Sequence, residues 1–241
     1  MPQKKPNTAL IYIAAMICLL AIGLFMFSKS DFFSVKDIQT TGLKNVSKDE
    51  VLKLMGTVKG ENLFLTDTEA IAQKIKLHPL IAKVEVKKSL PGTLLLIIQE
   101  RVPAALIFNN DGMVEVDSQG VILRFYQTWP QNDQPVLTGI QVPETIGPGQ
   151  RLNDPLLDKG LLLIRQAPEG LLSRVGEINM ASDRQVFLYL TTGTQVKLGQ
   201  ENQFADKLKL LNELLGSSEY KSMEKAIKYI DLTAGKPVLG R

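Results

Sequence analysis

The sequence predicts an α+β chain with a single membrane-spanning helix, a strand-helix-helix-strand-strand module and a β-rich distal domain with flanking helices. Three observations carry this. The run from Ala9 to Phe27 holds no charge. Two capping-box sequences, at Ser47 and Thr66, precede a Pro-Gly turn between two β-rich runs. Beyond Val102 the chain breaks into short β-rich runs separated by turns, with two stretches of helical spacing among them.

The first element is the apolar run, ALIYIAAMICLLAIGLFMF. At a rise of about 1.5 Å per residue it nearly spans the ~30 Å hydrocarbon core of a bilayer. Lys4 and Lys5 precede it, while Lys29 beyond it is offset by Asp31. The positive-inside tendency therefore puts residues 1–8 in the cytoplasm and the rest of the chain outside. A cleaved secretory signal is the competing reading, but the run exceeds a signal's usual apolar length and Ser28-Lys29-Ser30 is a poor cleavage sequence. A retained anchor at 9–27 is the expectation, with 28–32 as a juxtamembrane linker.

Next, Phe33 to Thr40 carries Val35 and Ile38 and is broken by Gly42, which reads as a first strand. Ser47-Lys48-Asp49-Glu50 caps a helix with Val51, Leu54 and Met55 on one face, stopped by Gly56. Thr66-Asp67-Thr68-Glu69 caps another, with Ala70, Ile71 and Ile75 on one side and His78-Pro79 as its stop. Val84-Glu85-Val86 alternates, Ser89 to Gly92 turns, and Thr93 to Arg101 follows. Leu94 to Ile98 is apolar at every position, the pattern of a central strand buried on both faces. Strand alternation makes Val84 and Val86 core residues, though their backbone remains free to pair outward as an edge.

In the distal half, MVEVD and VILRFY read as strands flanked by Asn110-Asp111-Gly112 and Gln119-Gly120, before a Pro-rich connection from Pro130 to Pro148. Asn153-Asp154-Pro155 starts a helix running over Leu156 to Ile164. Arg184 to Leu190 and Thr194 to Leu198 flank Thr192-Gly193 as a hairpin. Phe204, Leu208, Leu211 and Leu215 recur at helical spacing and are expected to pack on the sheet. Ala226 to Leu232 and Pro237 to Gly240 read as two last strands joined by Thr233 to Lys236.

Composition narrows the function. Two of the 28 Lys and Arg precede the apolar run and none of the 25 Asp and Glu do, so the remainder is formally +1. No basic cluster marks a nucleic-acid face; Lys83, Lys87 and Lys88 read as charges on a strand edge that discourage aggregation. Cys18, inside the apolar run, is the one cysteine, and His78 the one histidine. The exported part therefore offers no disulfide, no thiol nucleophile and no His-x-x-x-His metal spacing. Nor is there a G-x-S-x-G nucleophile sequence or a phosphate-binding loop. The chain is expected to be no enzyme, and to have no catalytic, metal or cofactor site. An anchored β-rich chain of this kind points to an interaction protein, for which strand addition at an exposed sheet edge supplies a physical means.

An ordered series of short motifs carries a resemblance. Phe33-Ser34-Val35 before Thr41-Gly42, Asn62-Leu63-Phe64, His78-Pro79, Val84 and Val86, Pro91, and Glu100-Arg101-Val102-Pro103-Ala104 together resemble the POTRA domain of the FtsQ/DivIB bacterial cell-division proteins. Val116 to Gly120, Pro135 to Gly139, Val196 to Gly199, Lys207-Leu208 and Tyr229-Ile230-Asp231-Leu232 continue the series through the distal domain of that family. The resemblance implies a POTRA domain at 33–101, a distal domain at 102–241, and an inner-membrane, septal, non-enzymatic scaffold. It also implies the small bitopic proteins FtsB and FtsL as partners. Docking would then fall on the last strand region, Thr233, Ala234, Gly235, Lys236, Pro237, Val238, Leu239 and Gly240, supported by Arg184. A second edge would lie at Val84 and Val86. In part of the family an aromatic follows the Ile-Asp-Leu motif and a Trp lies near the strand end; here Thr233-Ala234 and Gly240-Arg241 stand there. POTRA modules also precede outer-membrane barrels in assembly and secretion proteins, but neither a repeat of the module nor a barrel's strands is visible.

Overall fold

A computed structural model describes residues 8–109, 112–130, 134–182, 185–200 and 203–241. The chain divides into two compact units, residues 1–100 and 101–241.

The first unit opens with α1, Thr8–Ser28, long and apolar enough to cross a membrane and carrying no buried residue in its apolar window. Residues Asp31–Phe33 form a 3-10 turn rather than strand, and the first strand, β1, is Asp37–Thr41. The expected start at Phe33 is therefore four residues early. Ser34 makes an isolated bridge to Asn62, and Val35 donates its amide to Glu61 O at 2.8 Å, so this stretch is extended but pairs with a loop.

Helix α2, Lys48–Met55, has the expected reciprocal capping box at Ser47 and Glu50, with Gly56 as its C-cap. Helix α3, Thr68–Ile75, is capped one residue later than expected. Asp67 is the N-cap, its carboxylate accepting from the amides of Glu69 and Ala70, while the Thr66 hydroxyl donates to Asn62 O. Asp outcompetes Thr at this position because its carboxylate is the stronger acceptor facing the helix dipole.

Strands β2, Ile81–Ser89, and β3, Thr93–Glu100, form the expected hairpin, and the sheet order is β1-β3-β2. β3 is central, parallel to β1 and antiparallel to β2. Two-sided burial of β3 does not hold: Leu94, Leu96 and Ile98 are buried, but Leu95 and Ile97 are only half-buried. The buried set packs with Val51, Met55, Ile71 and Ile75 of the two helices, so the helices share one face and leave the other open.

The second unit is a nine-stranded sheet with the order β12-β11-β10-β9-β8-β7-β4-β5-β6. Its strands are β4 Pro103–Asn109, β5 Gly112–Asp117, β6 Ile122–Tyr126, β7 Val136–Thr138, β8 Val175–Ser182, β9 Gln185–Leu190, β10 Gln195–Gly199, β11 Tyr229–Asp231 and β12 Val238–Gly240. β7 pairs in parallel with β4 and β8, and β10 with β11. Parallel neighbours need crossovers, and helices supply two of them. α4, Pro155–Gln166, joins β7 to β8; α5, Phe204–Gly216, and α6, Ser218–Met223, join β10 to β11. α4 is capped by Asp154 and begins with Pro155, as expected.

Phe204, Leu208, Leu211 and Leu215 are all buried in the core with Val186, Leu188, Val196 and Ile230. Each such side chain contributes about 1.5–3 kcal/mol by leaving water, so the stripe on α5 holds that helix to the sheet. β7 and β8 carry no strand expectation. β7 is three residues long, inside the Pro-rich connection. In β8 the pairing register shifts between Val175 and Glu177, which breaks the two-residue period of its apolar residues.

Candidate docking site

The last strand is an edge. β12 pairs with β11 on one side, with Tyr229 opposite Gly240, Ile230 opposite Leu239 and Asp231 opposite Val238. Only Val238, Leu239 and Gly240 of the expected docking residues are strand; Thr233, Ala234, Gly235, Lys236 and Pro237 form the turn that leads into it. The strand expected from Ala226 is also shorter, because Glu224–Ala226 is a 3-10 turn.

The local sequence explains the turn. The Thr233 hydroxyl and amide both donate to Asp231 Oδ1, at 2.6 and 2.9 Å, ending β11 with an Asx turn. These donors, with Lys197 nearby, hold the Asp231 carboxyl below the usual carboxylate range. Gly235 then takes a φ of +80°, which a side chain disfavours, and the chain reverses into β12.

Edge and face differ in chemistry. Val238 is 53 % exposed and Leu239 37 %, so two apolar side chains border the unpaired backbone. Tyr229 is 38 % exposed on the face opposite the buried Ile230, and Lys197 Nζ lies 5.2 Å from its ring centroid. On the same face Gln195 Nε2 donates to the Tyr189 hydroxyl at 3.0 Å. Tyr229 and Lys197 were not among the expected docking residues. The alternation in Tyr229-Ile230-Asp231 was the available signal, since it sets Tyr229 on the face opposite the buried Ile230.

Arg184 lies outside the described residues. In the first unit, Val84 is buried and Val86 half-buried against the core, both on the helix side of β2. β2 is an outer strand, so what it exposes laterally is backbone. Lys87 pairs with Glu85 at 3.2 Å, and Lys88 Nζ donates to Phe64 O at 3.0 Å. Among the described residues no group of three or more His, Cys, Asp or Glu is placed to hold a metal ion.

Two motifs that carry the resemblance have structural work. Glu100 accepts from the amides of Lys44, Asn45 and Val46 and from Asn45 Nδ2, at 2.7 to 3.0 Å. Burial pushes its carboxyl up, but these donors outweigh it and hold the pKa at about 2. Arg101 Nη1 meets the buried Asp117 at 2.7 Å, and Asp117 Oδ1 accepts from the amides of Gln119 and Val121.

Two family models match the two parts of the chain. The family model described as POTRA domain, FtsQ-type, matches residues 33–101, and the one described as Cell division protein FtsQ/DivIB, C-terminal, matches residues 105–233. β12 lies beyond the second range. Cell division protein FtsQ of Anaeromyxobacter sp. (strain K) is 31 % identical over 206 residues, covering 84 % of this chain and 69 % of that protein. Cell division protein FtsQ of Syntrophotalea carbinolica is 24 % identical over 234 residues, covering 94 % and 81 %. Cell division protein DivIB of Clostridium botulinum (strain Hall) is 27 % identical over 247 residues, covering 98 % and 93 %. The solved major extracytoplasmic domain of DivIB from Geobacillus stearothermophilus aligns at a TM-score of 0.37 and 20 % identity, over 50 % of this chain and 96 % of that one. The chain belongs to the FtsQ/DivIB family of cell-division proteins.

Proposed function

We propose that this chain is a non-enzymatic scaffold of the division machinery, held in the inner membrane at the septum by α1, with residues 1–8 cytoplasmic and two docking domains, 33–101 and 102–241, in the periplasm. The distal domain receives FtsB and FtsL by strand addition at β12. The observation that carries this reading is that, among the described residues, β12 pairs on one side only and borders its other side with exposed Val238 and Leu239. Tyr229 on the adjoining face, with Lys197 beside its ring, supplies an aromatic of the kind that anchors interfaces, in a chain that lacks aromatics at the strand end. The outer strand β2 is the second docking edge, for other division proteins. Anchoring in the same membrane as the partners raises their effective concentration at these edges.

The test is site-specific crosslinking from Val238, Leu239 and, as a control, Leu77, in growing cells. Crosslinks to FtsB or FtsL from 238 and 239 but not from 77 are expected, and deletion of Ala234 to Arg241 is expected to abolish recovery of the pair while leaving the far-UV circular dichroism unchanged. Undiminished recovery from the folded deletion variant excludes docking at β12.

A further inference from the structure

The junction between α1 and the first domain is closed. The Ser28 carbonyl accepts from Asn62 Nδ2 at 2.8 Å, and the amides of Lys29 and Ser30 return to Met26 O and Phe27 O. Across 28–32, the stretch expected as a juxtamembrane linker, the helix end passes through the 3-10 turn at Asp31–Phe33 into the domain. The Phe27 ring lies 5.2 Å from that of Phe33, which lies 4.9 Å from Phe64, so apolar surface runs without a break from the end of the span onto the domain.

Strand directions fix what else lies at this end. β1 and β3 both start here and β2 finishes here, with Asp37 opposite Thr93 and Ser89 opposite Thr93. Lys36 donates its amide to Gly92 O at 2.8 Å, so the Ser89–Gly92 turn sits beside the junction. Four large apolar side chains at this end are exposed: Phe32 52 %, Phe64 48 %, Leu65 72 % and Leu90 62 %. Scattered singly, exposed apolar residues are ordinary; gathered beside the last turn of a membrane span they have an adjacent apolar phase to enter. Three cations stand at the same end. Lys36 Nζ is 5.8 Å from the Phe32 centroid, Lys29 Nζ 4.6 Å from that of Phe25, and Lys88 Nζ bonds to Phe64 O. Asp31 and Glu61 share this end, so charge alone would not hold it to a membrane.

We propose that this end of the first domain is seated in the outer surface of the bilayer that α1 crosses, with Phe32, Phe64, Leu65 and Leu90 at the acyl boundary and Lys29, Lys36 and Lys88 among anionic lipid phosphates. The seat sets the height and orientation of the β2 edge over the membrane. It rests on α1 being a membrane span.

The experiment uses the full chain in nanodiscs of phosphatidylcholine and phosphatidylglycerol containing doxyl-labelled lipid. An environment-sensitive fluorophore is attached at Cys18, or, in a Cys18→Ser background, at Leu65→Cys, Leu90→Cys or Leu77→Cys. Leu77 is 75 % exposed and precedes β2 at the far end of the sheet. Lipid quenching at 65 and 90 is expected to exceed that at 77 by about twofold or more, with matching protection from aqueous iodide. Quenching at 65 and 90 equal to that at 77, with position 18 quenched, overturns the seat while leaving the anchor standing. No quenching at position 18 overturns the anchor and the seat together.

Discussion

Gly240 stands directly opposite Tyr229 in the β11–β12 pair, and the Tyr229 ring occupies the space that a side chain at 240 would need. Glycine weakens an edge strand, and an aromatic ring laid across it restores cover to the backbone. The pair therefore links the exposed tyrosine, on the face opposite the buried Ile230, to the strand on which docking is proposed.

A Gly240→Val substitution forces one of the two to move. We expect recovery of the partner pair to fall about tenfold while the unfolding free energy of the distal domain, from urea titration, falls by less than about 1 kcal/mol, because β12 is a three-residue edge rather than core. A large midpoint shift with unchanged recovery would show that the pair serves folding instead.

Glu100→Gln removes the charge that gathers the Lys44, Asn45 and Val46 amides, at a cost of about 2 kcal/mol at neutral pH. The Glu100 pKa is lowered from 4.5 to about 2 in the folded chain. Its contribution is therefore full above 4.5 and lost as pH falls through about 2. Denaturant titrations of both proteins should show their difference narrowing over that window. A constant difference across it would remove the charge from the explanation.

Asp117→Asn leaves Arg101 without its counter-ion beside a side chain only 7 % exposed. We expect a loss of about 3 kcal/mol in the second unit, read by chemical denaturation, with the first unit unaffected. Substituting Arg101→Leu and Asp117→Asn together should cost less than the two single losses summed, since the double variant strands no charge.

Gly160 lets α4 approach the sheet: a Cβ there would lie 3.1 Å from Leu137 Cδ2 and 3.7 Å from Met180 Cγ. Gly160→Val is expected to destabilise by about 1–3 kcal/mol despite adding a side chain to a helix, measured as a lowered denaturation midpoint. A stabilised variant would mean that α4 has room to shift.

The elements most legible in the sequence were those defined by neighbours along the chain. The Ser47 capping box, the Asp154-Pro155 helix start, the hairpins at Ser89–Gly92 and Thr192-Gly193 and the stripe on α5 each depend on residues within about one or two helical turns. Even there, the sequence offered two capping residues side by side: the Asp67 carboxylate caps the helix, and the Thr66 hydroxyl donates instead to Asn62 O. β7 escaped because three residues pair in parallel with strands about 30 and 40 residues away in the chain, and no local period records such a partner. β8 escaped because a bulge changes the phase of its alternation.

The sequence by itself determined that one apolar helix precedes two α+β units without a thiol or paired imidazole beyond it, because hydrophobic runs, caps and residue inventory need no tertiary partner to be read. Only the tertiary structure decided that β12 is an edge and that Tyr229 covers Gly240 beside it. Only the tertiary structure, again, gathered Phe32, Phe64, Leu65 and Leu90 at the foot of the anchor. Edges, faces and patches are properties of which strands lack neighbours and which ends of a sheet coincide, and those follow from pairings between segments distant in the chain.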